Sequence, residues 1–327
     1  MKLSLLFPET RSVDNVVALA QQSEQLGFHG MFLGTAFGID PIMALAYAGT
    51  KTTRISLGVA VVPTWPRHPQ VLAQQAATAN AMCNGRFRLG VGPSHAPVMA
   101  RLGIPFDRPI SHVREYLTIV RTLLAEHKID HKGERFQVQG MLDVENGGTP
   151  PVLLAAMREQ MCRLAGSHSD GVLPWLPPAD YVASTIVPNV RAGADAAGRV
   201  APPVIAEVPV ALTRDIEEVR TMAARDLFIY PMMPFYRAQW ESAGIPLGDR
   251  STAGGWSDAM IETSLLYGDQ AGLATKIKAY FDAGADEVVV SPFGVGDDPA
   301  ANRDDCVRVL ADIAREGPSG PQSGEKG

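Results

Sequence analysis

Apolar residues gather in short runs at 3–7, 30–34, 55–62, 86–91, 151–156, 171–174, 203–212 and 287–291, separated by stretches with helical periodicity. A short continuous apolar run between two such stretches reads as a strand buried on both faces, and their regular alternation reads as repeated βα units. The helical stretches carry their own punctuation. Val13, Val16, Val17 and Ala20 share one face, and Gly27 ends that helix. Asp40 and Pro41 suit the N-cap and first helical turn, because the Asp side chain accepts an orphan N–H and Pro has none to lose. Pro69 and the Asn84-Gly85 pair bracket the next helix, a long one covers 111–126, Pro178 opens another that ends near Gly198, and the last precedes the final run at 269–283.

Two stretches break this rhythm. Residues 127–149 hold Gly133, Gly140, Gly147 and Gly148 around the alternating Phe136-Gln137-Val138, which predicts an insertion carrying a small hairpin. After the seventh run, the aromatic and methionine-rich segment Tyr230-Pro231-Met232-Met233-Pro234-Phe235-Tyr236 marks a second insertion, expected to lie over the active-site face. Eight βα units in order favour one closed (β/α)₈ TIM barrel over residues 1–316, with insertions after the fourth and seventh strand units. A doubly wound dinucleotide fold is disfavoured, since the first turn, Phe7-Pro8-Glu9-Thr10, holds no glycine. Residues 317–327, rich in Gly, Ser and Pro, are expected to be a disordered tail.

Composition adds exclusions. With 46% hydrophobic and 20% charged residues the chain has the material of a soluble globular enzyme, and a net charge of −6 gives no footprint for nucleic acid or an anionic membrane. The opening MKLSLLFPET is interrupted by Pro8 and Glu9 too early for a signal peptide or membrane span. Cys83, Cys162 and Cys306 fall in no disulfide or metal-ligand spacing, so a reduced, cytoplasmic chain without a metal is expected. No H-E-x-x-H, no G-x-S-x-G and no carboxylate pair at the strand ends supports metal or nucleophilic catalysis.

In a barrel, chemistry sits where strands run into βα loops. At the third strand's exit, Pro63, Pro66 and Pro69 bracket Thr64, Trp65, Arg67 and His68, which by itself is a rigid loop. Gly90-Val91-Gly92-Pro93-Ser94-His95 follows the fourth strand; its small residues let a ligand approach the backbone, although His95 stands where a G-x-G-x-x-G fingerprint needs glycine. Ala155-Ala156-Met157-Arg158 leads from the fifth strand into a helix whose N-terminus could face a phosphate. Pro292-Phe293-Gly294-Val295-Gly296 after the last strand is a second phosphate position, opposed by Asp297 and Asp298.

Thr53-Arg54-Ile55-Ser56-Leu57-Gly58 leading to Pro63-Thr64, then Asn84-Gly85-Arg86, Leu89-Gly90-Val91-Gly92, Ala155-Ala156, Asp170-Gly171 and Gly284-Ala285, resemble the luciferase-like family, and more closely its deazaflavin-using branch. The resemblance spans about residues 1–314 and rests on the order of the motifs. It implies a bacterial luciferase-like barrel that binds coenzyme F420, or alternatively FMN, and that forms a homodimer. It also implies a non-prolyl cis peptide at Ala60 and Val61 against the cofactor ring, a ring pocket involving Phe7, Pro63, Gly92, Pro93 and Ser94, and a phosphate site at Ala155, Ala156, Met157 and Arg158.

Ala36, at the end of the second strand, stands where the related sugar-phosphate dehydrogenases carry histidine, and His95 stands where they carry an acid. The expectation is therefore a reductase that passes a hydride from reduced F420 to an activated C=C or C=N bond of a small organic substrate. His95 is the candidate catalytic residue because its ordinary pKa suits proton transfer, and Ala36, His68, Trp175, Phe235 and Tyr236 are the candidate substrate pocket. An FMN-dependent monooxygenase and a cofactor-binding protein without turnover are the alternatives.

Overall fold

The computed structural model describes residues 1–8, 10–34, 38–145, 147–249 and 253–316. Its strands are β1 (Leu3–Phe7), β2 (Gly30–Leu33), β3 (Ser56–Pro63), β4 (Phe87–Gly92), β5 (Lys128–Lys132), β6 (Gln137–Met141), β7 (Val152–Leu154), β8 (Gly171–Val172), β9 (Ile205–Leu212), β10 (Leu266–Gly268) and β11 (Glu287–Pro292). Nine of them form one curled sheet in the order β10-β9-β11-β1-β2-β3-β4-β7-β8, and every pairing in it is parallel. Parallel bridges Val172–Val204 and Trp175–Glu207 join the β8 end to β9 and close the sheet. β9 pairs with β11 from Ile205 to Val210, so its other edge is shared, first with the residues around β8 and then with β10 at Val210–Leu212.

Each apolar run forms a strand where the sequence places it, and the helical signals have their expected work. Asp40 accepts from the N–H groups of Ile42 and Met43 at 3.0 and 3.1 Å, and Gly27 ends the first helix in the left-handed region at φ 86°. Asn84 (φ 51°) and Gly85 (φ 79°) turn the chain into β4, and the Arg86 guanidinium then donates to the carbonyls of Gly49, Thr52 and Ile55 at 2.8–3.0 Å. These motifs fasten the strand starts to the preceding helix ends; they do not touch a ligand site.

Residues 128–141 form the expected antiparallel hairpin, β5 against β6. The stretch after β9 holds helices at Ile216–Asp226, Pro234–Ser242 and Asp258–Ser264, which pack on a small apolar core of their own around Trp240, Trp256, Met222 and Met260. Two side chains tie this cover down: Trp240 Nε1 donates to Ser264 Oγ at 2.8 Å, and Gln239 Nε2 to the Leu176 carbonyl at 2.8 Å. β10 was not anticipated, because its three residues, Leu-Tyr-Gly, carry no readable period. Among the described residues no helix is long and apolar enough to cross a membrane.

Candidate active site

The strand ends open into one cleft of about 1460 Å³. Its floor is the barrel interior: Leu6 and Phe7 from β1, Ala60, Val61 and Pro63 from β3, Gly92 from β4, and Ala155 after β7. The Ala60–Val61 peptide is cis, and the register between β3 and β4 slips there, from Val59–Leu89 to Val62–Val91. The displaced Val61 fills space that the glycines vacate. A Cβ on Gly90 would lie 2.0 Å from the Val59 carbonyl oxygen, and one on Gly92 would lie 3.0 Å from Val61 Cγ2 and 3.1 Å from Ala155 Cβ. Together they leave an apolar slot above the bulge.

The walls come from the loops. Pro93, Ser94 and His95 line one side, with Ser94 in the left-handed region at φ 63°. Ala156, Met157 and Arg158 line another, where Arg158 is the N-cap residue of the helix Glu159–His168 and the first-turn residues Glu159, Gln160 and Met161 also line the cleft. Arg225 and Arg303 line it too; Arg225 is paired with Asp226 and donates to the Gly294 carbonyl at 3.0 Å. Trp175, Tyr230, Phe235 and Tyr236 form an aromatic roof, with the Tyr230 and Tyr236 rings 4.9 Å apart edge to face.

Fifteen of the seventeen residues singled out from the sequence therefore lie on this cleft: Phe7, Ala60, Val61, Pro63, Gly92, Pro93, Ser94, His95, Ala155, Ala156, Met157, Arg158, Trp175, Phe235 and Tyr236. Ala36 lies outside the described residues. His68 is a correction, since it does not line the cleft. It caps the helix Pro69–Met82, its Nδ1 accepting from the Gln70 N–H at 3.2 Å, while its ring packs edge-on against Phe136 of the hairpin. The β3 exit loop is pinned in that direction by Trp65 stacked on His112 at 3.7 Å and by Arg67 bound to Asp40 at 2.7 Å.

His95 sits between the slot and the roof, its ring 5.9 Å from that of Tyr236 and 6.2 Å from that of Phe235. Burial pushes its pKa down, and its Nδ1 has no hydrogen-bond partner among the described residues.

The sequence reading missed Glu207. It lies on β9 with its side chain in the barrel interior and is only 4% exposed, yet it lines the cleft. The signal was present: a single carboxylate inside the apolar run Ile205-Ala206-Glu207-Val208, on the same face of the strand as Ile205. Deeper in the barrel, Glu287 on β11 accepts from Ser4 Oγ at 2.6 Å and Arg88 Nη1 at 2.9 Å. Desolvation and the negative charge of Glu287 raise the Glu207 pKa to about 8, opposed by Arg88.

The chain is thus a curled parallel sheet with a bulged third strand and a cleft at the loop end. The family model for luciferase-like monooxygenases matches residues 4–287, and the chain belongs to that family. Among its curated relatives, the 5,10-methylenetetrahydromethanopterin reductase of Methanolobus tindarius is 27% identical over 201 residues, a match that spans 61% of this chain and 61% of that protein. The F420-dependent glucose-6-phosphate dehydrogenase of Intrasporangium calvum is 26% identical over 298 residues, 85% of this chain and 88% of that one. In fold, the coenzyme F420-dependent tetrahydromethanopterin reductase from Methanopyrus kandleri superimposes with a TM-score of 0.75 at 21% identity, covering 95% of this chain and 97% of the other.

Proposed function

We propose that this protein is an F420-dependent oxidoreductase, acting as a reductase on an activated C=C or C=N bond of a small organic substrate. The observation that carries this reading is the convergence of the apolar slot above the Ala60–Val61 bulge and the Arg158 helix start on one cleft. The name of the F420-dependent glucose-6-phosphate dehydrogenase relative and the architecture of the cleft support the same cofactor class.

The residues present suit such a group. Gly92, Ala155 and Ala156 let a planar ring system approach the backbone, and His95 Nδ1 is a buried polar atom whose partner the described chain does not supply. The N–H groups at the start of the helix Glu159–His168, with Arg158, would hold a phosphate. Reduced F420, when bound there, supplies the hydride. The protein's part is to orient the substrate under the roof of Tyr230, Phe235 and Tyr236 and to exclude water from the reacting carbon. Ala36, which stands in the sequence where the related sugar-phosphate dehydrogenases carry histidine, has no imidazole to take a proton from an alcohol, which favours reduction over alcohol oxidation. The three cysteines are free and buried, in keeping with a cytoplasmic chain.

Titration with oxidised F420 and separately with FMN, followed by tryptophan quenching, tests the reading. Binding of F420 in preference to FMN is expected, and Trp175→Phe should remove most of the quenching because Trp175 lines the cleft. Preference for FMN would assign a monooxygenase instead, and binding of neither would overturn both.

A further inference from the structure

We propose that Glu207 is the proton donor of the reaction, delivering its carboxylic proton to the atom of the substrate double bond that does not receive the hydride. This proposal rests on the reductase reading above.

Two polar side chains on neighbouring strands are buried without a hydrogen-bond partner among the described residues, Glu207 Oε1 and Ser291 Oγ, while the indole of Trp175 is engaged by the Tyr230 hydroxyl. Trp175 bridges to Glu207 across the barrel seam, and Ser291 on β11 pairs with Pro209, two residues beyond Glu207 on β9. Folded proteins satisfy nearly all buried polar atoms, so an acid and a hydroxyl left open on adjacent strands point to a place kept for a ligand. Glu207 and Trp175 both line the cleft.

The contrast with Glu287 is instructive. That carboxylate holds Ser4 and Arg88, and the Arg88 guanidinium lies 4.8 Å over the Phe32 ring, so the cation of the barrel interior is already engaged. Among the described residues Glu207 forms no ion pair. The groups acting on it are the negative Glu287 from β11, Arg88 from β4, and the hydroxyls of Tyr230 and Tyr236 from the roof. Both tyrosines are pushed up by burial and stay neutral. Glu207 accordingly keeps its proton through neutral pH, titrating near 8, whereas His95 is pushed down and offers no acidic proton there.

The step balances without a further reactant. A hydride carries two electrons from reduced deazaflavin to one atom of the C=C or C=N bond. The π pair moves to the other atom, which takes the Glu207 proton. Glu207 is left as the carboxylate and is reprotonated from solvent after product leaves, and the deazaflavin leaves oxidised.

Infrared difference spectra of the cofactor-free protein, taken from about pH 5 to pH 10, test the acid directly. A carboxylic C=O band lost with a midpoint near pH 8, and absent from Glu207→Gln, is the expected result; a Glu207 already ionised at neutral pH would overturn the proposal. In parallel, cyclohexenone and a cyclic imine serve as probes with reduced F420. Glu207→Gln should turn them over about 100-fold more slowly and lose the alkaline limb of the pH profile, with F420 affinity unchanged in the quenching titration. Wild-type rates in the variant would overturn the proposal, and if the wild type reduces neither probe the infrared titration decides. Failure of the wild type to bind F420 would sink the reductase reading and this proposal with it, whereas an ionised Glu207 in a protein that binds F420 would sink this proposal alone.

Discussion

Replacing Glu207 by Gln should make the protein more stable at alkaline pH, by an amount that grows with pH in a defined window. The carboxyl has an ordinary pKa of 4.5 and one of about 8 in the fold. Between those values the unfolded chain has lost a proton that the folded chain keeps. The folded state then binds more protons, and unfolding becomes easier as pH rises. Each pH unit in that window is worth about 1.4 kcal/mol, so burial of this acid lowers stability by up to about 5 kcal/mol above pH 8, relative to acid pH. Gln carries the same shape and no charge. The difference in unfolding free energy between Glu207→Gln and wild type should therefore widen through neutral pH and level off above about pH 8, riding on a constant offset for the exchanged amide. Urea melts of both proteins at a series of pH values give that difference. A gap independent of pH would refute the assignment of Glu207 as an acid held neutral by its surroundings.

His112 governs the other side of the pH range. Its pKa is pushed down to about 4, chiefly by burial and then by Arg135, so below pH 6.5 the unfolded chain takes up a proton that the folded chain refuses. Stability should fall by about 1.4 kcal/mol per pH unit between 6.5 and 4, and urea melts of His112→Gln should lack this component. His68→Ala removes the Gln70 cap and should cost about 1 kcal/mol in thermal or urea unfolding, while F420 quenching stays as in wild type. Loss of F420 binding in that variant would contradict the placement of His68 away from the cleft. Gly90→Ala forces a methyl against the Val59 carbonyl oxygen and should destabilise by about 1–3 kcal/mol, readable as a lower melting temperature; a variant as stable as wild type would count against the close strand approach there.

The strands and helices were legible because local signals and burial agree in them. Runs such as Leu57–Val62 are apolar on both faces, and Asp40-Pro41 and Asn84-Gly85 make the turns their chemistry favours. β10 escaped notice because its pairing with β9 is set by tertiary position and not by its three residues. The cleft lining was readable largely because barrel ligands meet strand ends, so knowing where each run stops names its candidates. His68 misled for the same reason: it follows a strand end, but the turn that places it also makes it a helix cap. Glu207 was hidden by lying mid-strand, where apolar neighbours suggested only core, and its importance depends on Glu287, 80 residues away in the chain.

The cover built from residues 216–264 rests on an apolar core separate from that of the barrel. A substitution under Trp240 or Trp256 is thus felt in the roof before it is felt in the strands that carry the Ala60–Val61 bulge and Glu207. Natural selection can remodel the ceiling of the chamber while leaving its redox floor alone. Such a division lets one scaffold pass between substrates over evolutionary time with its cofactor chemistry intact, and it makes the cover the part to randomise in a library aimed at a new substrate.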